Sequence, residues 1–199
     1  INGTEESKAT FEPLSLNDWY VFGGHKPIHL DAGDEIKIQY SAPENPPAKI
    51  KDTRAIAWKV DVGDYDTVMD EGEDTTTSMA PVTKVWKNFN LDGGDYLLIA
   101  SADVTGTSTD SSVLVHTSID GVSQGDFSRE PTIANEYYSY IMHRKISLPA
   151  GLHNISIEFW SSDGTTVKIK NARITVVKLQ SGMFEYAKSE TGSSSSSAS

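Results

Sequence analysis

The sequence contains no cysteine and no long apolar run. Without cysteine, the chain has no disulfide framework, no thiol chemistry and no cysteine-ligated zinc. No stretch approaches the roughly 20 apolar residues that a membrane-spanning helix needs, so we expect no membrane insertion. Basic residues are also scarce, because 17 Lys and Arg stand against 28 Asp and Glu, giving a formal net charge of -11. An acidic surface repels phosphate backbones, so we expect no nucleic-acid partner.

Motifs that carry catalysis are missing as well. The chain has no Gly-x-Ser-x-Gly elbow, no P-loop and no dinucleotide fingerprint, and its five histidines show no metal-ligand spacing. Paired carboxylates for glycoside hydrolysis stay open, because such a pair is spatial rather than sequential. We therefore predict that the protein is not an enzyme and has no catalytic residues and no cofactor.

An acidic run in the first half of the chain is a candidate calcium site. It includes Asp61, Asp64, Asp66, Asp70 and Glu71. Oxygen ligands of this kind suit calcium, but the spacing is not that of an EF-hand loop. The alternative interpretation is a solvated acidic linker.

Two sequons have the form accepted for N-glycosylation, Asn2-Gly3-Thr4 and Asn154-Ile155-Ser156. They make Asn2 and Asn154 candidate glycosylation sites, although the same pattern also arises by chance. Because the chain begins at Ile1 rather than Met, we expect a processed product or a fragment of a longer protein.

The most informative feature of the sequence is an internal repeat. Sliding the chain against itself by 118 residues, and by 119 after one insertion, produces 17 identical pairs over residues 12–63. The pairs include His25 with His143 and Arg54 with Arg173. Chance would give far fewer identities, so we interpret the match as a true repeat.

The repeat predicts four parts of the chain. These are an incomplete half-module at 1–62 that is equivalent to 129–181, an acidic and Thr-rich linker at 63–78, a complete module at 79–181 and a Ser-rich linker or tail at 182–199. Half a module would expose apolar faces and strand edges. The complete module, a neighbouring subunit through strand exchange, or a preceding part of a longer array must therefore cover it.

Alternation of apolar and polar residues with period two predicts strands throughout the complete module. Turn signals separate them at 92–94, 120–121, 149–151 and 163–164. The sequence therefore predicts an all-β fold, an antiparallel jelly-roll β-sandwich with one complete module plus a half-module repeat.

The complete module resembles the tandem jelly-roll repeats of phage structural proteins and prokaryotic surface proteins, and its strand order is similar to that of the TNF and C1q type. The stretches that carry the resemblance are 94–102, 127–131, 148–151 and 170–174. The resemblance implies a structural, adhesive or receptor-binding role without catalytic residues. It also implies an extracellular location, at a cell surface or a virion surface.

Two functions follow as hypotheses. The first is a non-catalytic structural or adhesive protein, a homo-oligomer or polymer that forms a cell-surface filament or virion fibre through strand complementation. The second is a carbohydrate-binding or receptor-binding module with surface glycans as partners. For the second, the candidate stacking residues are Trp19, Tyr20, Tyr137 and Tyr138, from a wider set that also includes Trp58, Trp86, Tyr140 and Trp160. Core or interface positions would also explain these aromatic side chains.

Overall fold

A computed structural model describes residue 25, residues 31–36, residue 38 and residues 63–180 of the chain. These residues contain seven strands and no helix: β1 (Tyr65–Asp70), β2 (Asp74–Thr76), β3 (Val82–Gly106), β4 (Val113–Ile119), β5 (Val122–Arg129), β6 (Tyr138–Ser161) and β7 (Val167–Lys178). All strand pairings are antiparallel, so the all-β antiparallel prediction is confirmed. Within this part of the chain, no helix of the length and apolar character needed to cross a membrane is found.

The strands form one continuous sheet in the order β1-β7-β3-β6-β4-β5, with β2 beside β7. The long strands β3 and β6 pair along most of their lengths. The first part of β3 and the second part of β6 lie with β4 and β5, and we call this region the β4 half-sheet. The second part of β3 and the first part of β6 lie with β7, β1 and β2 in the β7 half-sheet.

Side chains from both half-sheets meet in a single buried cluster. Phe89 and Ile157 enter it from the β4 half-sheet, and Leu98 and Ile174 enter it from the β7 half-sheet. Because one cluster is lined by both regions, the two half-sheets face each other in a sandwich-like arrangement. Alternate residues on each strand therefore point away from the core.

Glycines mark the level at which β3 and β6 pass from one half-sheet to the other. Gly93 and Gly94 in β3 have φ angles of 81° and 121°, and Gly151 in β6 has 143°. A Cβ at Gly93 would lie 2.8 Å from the backbone nitrogen of Ala150. Only glycine combines this backbone conformation with such a close approach. The residues that we predicted as turns thus bend two continuous strands.

The other predicted turns have different outcomes. Asp120 and Gly121 join β4 to β5 in a tight hairpin, with φ angles of 51° and 80°, as predicted. The prediction of a hairpin at Asp163-Gly164 is wrong in its pairing, because β7 pairs with β3 and β1 rather than with β6. A local turn signal does not specify the partner of the strand that follows.

The segment 63–78, which we expected to be a linker, contains β1 and β2, and both pair with β7. Most of the predicted half-module at 1–62 and all of the predicted tail at 182–199 lie outside the described residues.

Candidate functional site

The outward side of the β4 half-sheet combines an exposed indole with a dense set of hydrogen-bonding groups. We call this surface the Trp86 face. Its members alternate with core residues along their strands. They are Trp86 and Asn88 on β3, Asn154, Ser156 and Glu158 on β6, His116 and Ser118 on β4, and Asp126 on β5.

Trp86 is the dominant apolar group of this face. Its side chain is 57% exposed, whereas its neighbour Val85 is 5% exposed and belongs to the core. Trp86 lies directly opposite Ser156 on β6. A small residue opposite the indole leaves its ring open to solvent. Exposed indoles are costly in water and are typical of binding surfaces that are apolar at one end and polar at the other.

A pair of side-chain amides lies two residues along β3 and β6 from Trp86 and Ser156. Asn88 is opposite Asn154, and Asn154 Nδ2 donates a hydrogen bond of 3.0 Å to Asn88 Oδ1. The Asp120 carboxylate fixes the backbone of Asn154 by accepting its N–H at 2.8 Å. Each side-chain amide has two donor hydrogens and an acceptor oxygen, so the pair keeps hydrogen-bonding capacity beyond its mutual bond.

Hydroxyl groups continue from the indole across the sheet. Ser118 and Ser156 share a hydrogen bond of 2.8 Å, and the Ser156 hydroxyl donates to Glu158 Oε1 at 2.8 Å. Both serines are almost fully buried, at 3% and 2% exposure, although they belong to the outward set. Larger neighbouring side chains must therefore rise above them, and the serines form the floor of the face.

An imidazole between two carboxylates completes the network. His116 Nε2 is 3.0 Å from Glu158 Oε2, and His116 Nδ1 is 3.3 Å from Asp126 Oδ1. The ring also meets Trp160 edge to face, with centroids 5.0 Å apart. Burial tends to raise the pKa of Glu158, but hydrogen bonds from His116, Ser156 and Ser118 outweigh it and hold the pKa below its ordinary value. Glu158 is therefore an ionised, firmly oriented acceptor.

This network fixes the positions of several hydrogen-bonding groups. Here the Ser156 hydroxyl donates to Glu158, while the imidazole of His116 faces carboxylates. The arrangement fits recognition of a ligand rich in hydroxyl groups.

The two predicted stacking residues that the structure describes, Tyr137 and Tyr138, lie elsewhere. Tyr138 is 7% exposed, and the Arg129 guanidinium lies over its ring at 4.4 Å, so it is not available for stacking. Tyr137 is partly buried under the Lys170 ammonium at 3.7 Å, and its hydroxyl donates to Glu73. Neither tyrosine belongs to the Trp86 face. The other two predicted residues, Trp19 and Tyr20, lie outside the described residues.

The four predicted calcium ligands that the structure describes have different partners. Asp66 pairs with Lys87 at 2.6 Å, and Glu71 pairs with Arg173 at 3.3 Å. Asp64 accepts the backbone N–H of Lys178 through its carbonyl oxygen. Asp61 lies outside the described residues. No group of three or more acidic, histidine or cysteine side chains suited to a metal ion occurs in the described part of the chain.

The fourth described carboxylate, Asp70, belongs to a turn closed by a lysine. The Lys84 side chain is fully buried, and its ammonium is 2.9 Å from Asp70 and 3.0 Å from Asp74. It also donates to the carbonyl oxygen of Gly72 at 2.9 Å. Lys84 thus neutralises part of the negative charge of the acidic run through its ion pairs with Asp70 and Asp74. Sequence reasoning missed this residue because the partner lies on another strand.

Of the two candidate glycosylation sites, the structure describes one. The Asn154 side chain is partly exposed on the Trp86 face and bonded to Asn88, and Ser156 of the same sequon is buried. Asn2 lies outside the described residues. Trp86 belongs to the wider set of aromatic residues that the sequence offers for stacking. Strand alternation, which places it on the side of β3 opposite to Val85 and Phe89, is the signal that distinguishes it within that set.

Comparisons with known proteins give no family. No protein family and no curated protein sequence matches the chain. Among solved structures, 57% of the chain is similar to 13% of dimeric latent PorU from Porphyromonas gingivalis, with 11% identity and a TM-score of 0.42. A second likeness covers 59% of the chain and 82% of the EclA C-terminal domain, a sugar-binding protein, with 15% identity and a TM-score of 0.34. TM-scores this low assign neither a family nor a function.

Proposed function

We propose that this chain is a non-catalytic, extracellular carbohydrate-binding module of jelly-roll type, and that the Trp86 face is its binding site. The observation that carries the proposal is the 57% exposed Trp86 indole beside an ordered array of amides and carboxylates, held above a floor of buried serine hydroxyls. A pyranose ring has an apolar C–H face and a rim of hydroxyl groups. An indole accommodates the first, and fixed donors and acceptors accommodate the second.

The charge of the protein favours a neutral glycan as the ligand. The chain carries a formal net charge of -11, and the Trp86 face contains the carboxylates of Glu158 and Asp126. Sialylated, sulfated or uronic-acid sugars would meet repulsion at long and short range. The carboxylates instead accept hydrogen bonds from neutral sugar hydroxyls, which are among the stronger hydrogen bonds available in water.

The site is largely preformed. Asn154, Ser156, Glu158 and His116 are fixed by bonds to one another or to the backbone before any ligand arrives. Preorganised groups lose little side-chain entropy on binding. Weak ligands such as single sugars therefore benefit most from this arrangement.

Binding is tested with a glycan array, followed by titration of a neutral glycan that binds. Trp86→Ala is expected to weaken binding at least about tenfold, since truncating a central aromatic contact costs about 2 kcal/mol or more and 1.4 kcal/mol is tenfold. The matched control is Tyr65→Ala, which removes a 40% exposed aromatic side chain from β1 in the β7 half-sheet. It should bind like the unmodified chain.

Two outcomes would contradict the proposal. One is an array without any bound neutral glycan. The other is a bound glycan whose affinity is unchanged in Trp86→Ala while that variant remains folded.

The filament or fibre role stays a prediction. It depends on strand exchange between copies, and neither the strand pairings of residues 63–180 nor the comparisons support it. Light scattering over a range of concentrations would reveal such polymers.

A further inference from the structure

The outward side of the β7 half-sheet is covered, in contrast to the Trp86 face. Leu97 and Ser101 on β3 alternate with core residues such as Leu98, so they point away from the core. Even so, Leu97 is 3% exposed and Ser101 is 6% exposed. Thr175, on the outward side of β7, is 4% exposed. Another layer of protein must lie over these side chains.

One residue of that layer is described, and it comes from far away in the sequence. His25 Nε2 is 2.9 Å from Thr175 Oγ1, and His25 Nδ1 is 3.1 Å from Ser101 Oγ. The Arg173 guanidinium donates to the backbone carbonyl of His25. One histidine therefore meets two strands with both ring nitrogens and its own backbone.

The hydrogen bonds around the ring specify its tautomer. The Thr67 hydroxyl donates to the carbonyl oxygen of Ile174, so its contact of 3.0 Å with Thr175 uses the single hydrogen of Thr175. Thr175 then accepts from His25 Nε2–H. Nδ1 of His25 is left as the acceptor for the Ser101 hydroxyl. The site is built for a neutral imidazole in one orientation.

We propose that the outward side of the β7 half-sheet is the docking surface for the N-terminal repeat segment of the same chain, with His25 as its anchor. The sequence supports the choice of partner, because His25 belongs to the segment that repeats residues 129–181. That segment requires a cover for its apolar side chains, and this sheet face requires a cover for Leu97. Docking of the segment onto this sheet face of the same chain covers the apolar side chains of both.

The absence of cysteine allows a direct test on the full chain. A single Leu97→Cys substitution places the only thiol under the docked segment, and its labelling rate by a small thiol reagent reports coverage. We expect slow labelling in the native background and labelling at least about tenfold faster when His25→Ala is added, because a tenfold rate corresponds to only about 1.4 kcal/mol of lost docking free energy. The rate should not depend on protein concentration.

Two matched variants separate undocking from unfolding. Leu98→Cys replaces a core residue with 0% exposure and should label slowly with or without His25→Ala. Leu152→Cys replaces a 69% exposed residue on β6 and should label fast in both backgrounds. Fast labelling of Leu97→Cys with His25 intact would overturn the proposal. So would equal rates with and without His25→Ala, or protection that grows with concentration, which would indicate a second copy.

Acid should release the anchor. Burial, and secondarily the Arg173 charge, lowers the pKa of His25 from 6.5 to about 4. Docking is therefore undiminished above pH 6.5 and weakens as the pH falls toward about 4, because only the undocked ring takes up the proton. Among the described residues, the other charged or titratable groups on this side are Glu71, which pairs with Arg173, and Asp95, Asp103, His143, Lys145, Lys168 and Lys170, which strand alternation places there. The labelling ratio of Leu97→Cys to Leu152→Cys should rise over this range, and less so with His25→Ala.

Discussion

The Gly93→Ala variant is expected to lose about 2–6 kcal/mol of unfolding free energy, since left-handed backbone strain costs about 1–3 kcal/mol and overpacking adds a similar amount. Gly93 has a φ of 81°, which alanine adopts only with strain. The added Cβ would also lie 2.8 Å from the Ala150 nitrogen and 3.3 Å from the Pro149 carbonyl carbon. These are backbone atoms of β6, so relief requires the two bent strands to separate.

Gly121→Ala is the matched control for this effect. Gly121 has nearly the same φ, 80°, but a Cβ there meets nothing within 4 Å. Urea unfolding of both variants should therefore show Gly93→Ala losing more by at least about 1 kcal/mol, which is the overpacking contribution. Equal losses would mean that β3 and β6 do not approach each other closely at the bend.

The second large effect is expected for Lys84→Met. This change keeps much of the buried apolar stem but removes the ammonium from between Asp70 and Asp74. Breaking a fully buried ion pair costs about 3–5 kcal/mol, and we expect about 2 kcal/mol because these carboxylates are 42% and 51% exposed and partly rehydrate. The loss is measured by urea unfolding at neutral pH.

The pH dependence of this loss follows from Asp70. Its hydrogen bond with Lys84 is the main cause that holds the pKa of Asp70 below the ordinary 3.8. The stabilisation is present above pH 3.8 and is lost as the pH falls through the lowered value, so Lys84→Met and the unmodified chain should converge in acid. Lys87→Met is the matched control. Lys87 is 36% exposed and pairs with Asp66, and removing such a partly exposed charge should cost less than about 1 kcal/mol. A similar loss in both variants would contradict the role of Lys84.

The parts of the fold that follow from local sequence were predictable. Alternation identified most of the strands of residues 82–178, and Asp120-Gly121 identified the β4–β5 hairpin, because type I′ turns require these residue types. The sequence predicts turns at Gly93 and Gly151, where the strands bend instead, because a turn and a bend require glycine equally. The choice between a bend and a turn depends on strands that are far apart in sequence.

The site was harder to predict because its chemistry depends on partners on other strands. Tyr138 begins β6 and Tyr137 directly precedes it, but the cations that cover these two rings, Arg129 and Lys170, come from other strands. The network of His116 with Glu158 likewise joins residues 42 positions apart. Sequence shows which residues alternate outward, as for Trp86, and does not show which of them remain uncovered.

The most direct test of the central claim follows the tryptophan indole N–H signals by nuclear magnetic resonance while a neutral glycan is added to isotope-labelled protein. The chain has four tryptophans, Trp19, Trp58, Trp86 and Trp160, and a Trp86→Phe variant assigns the signal that matters. We predict the largest saturable shift at Trp86, with a smaller shift at Trp160 through its contact with His116. A largest shift at Trp19 or Trp58, or four unshifted signals with a glycan that binds, would contradict the assignment of the Trp86 face as the carbohydrate site.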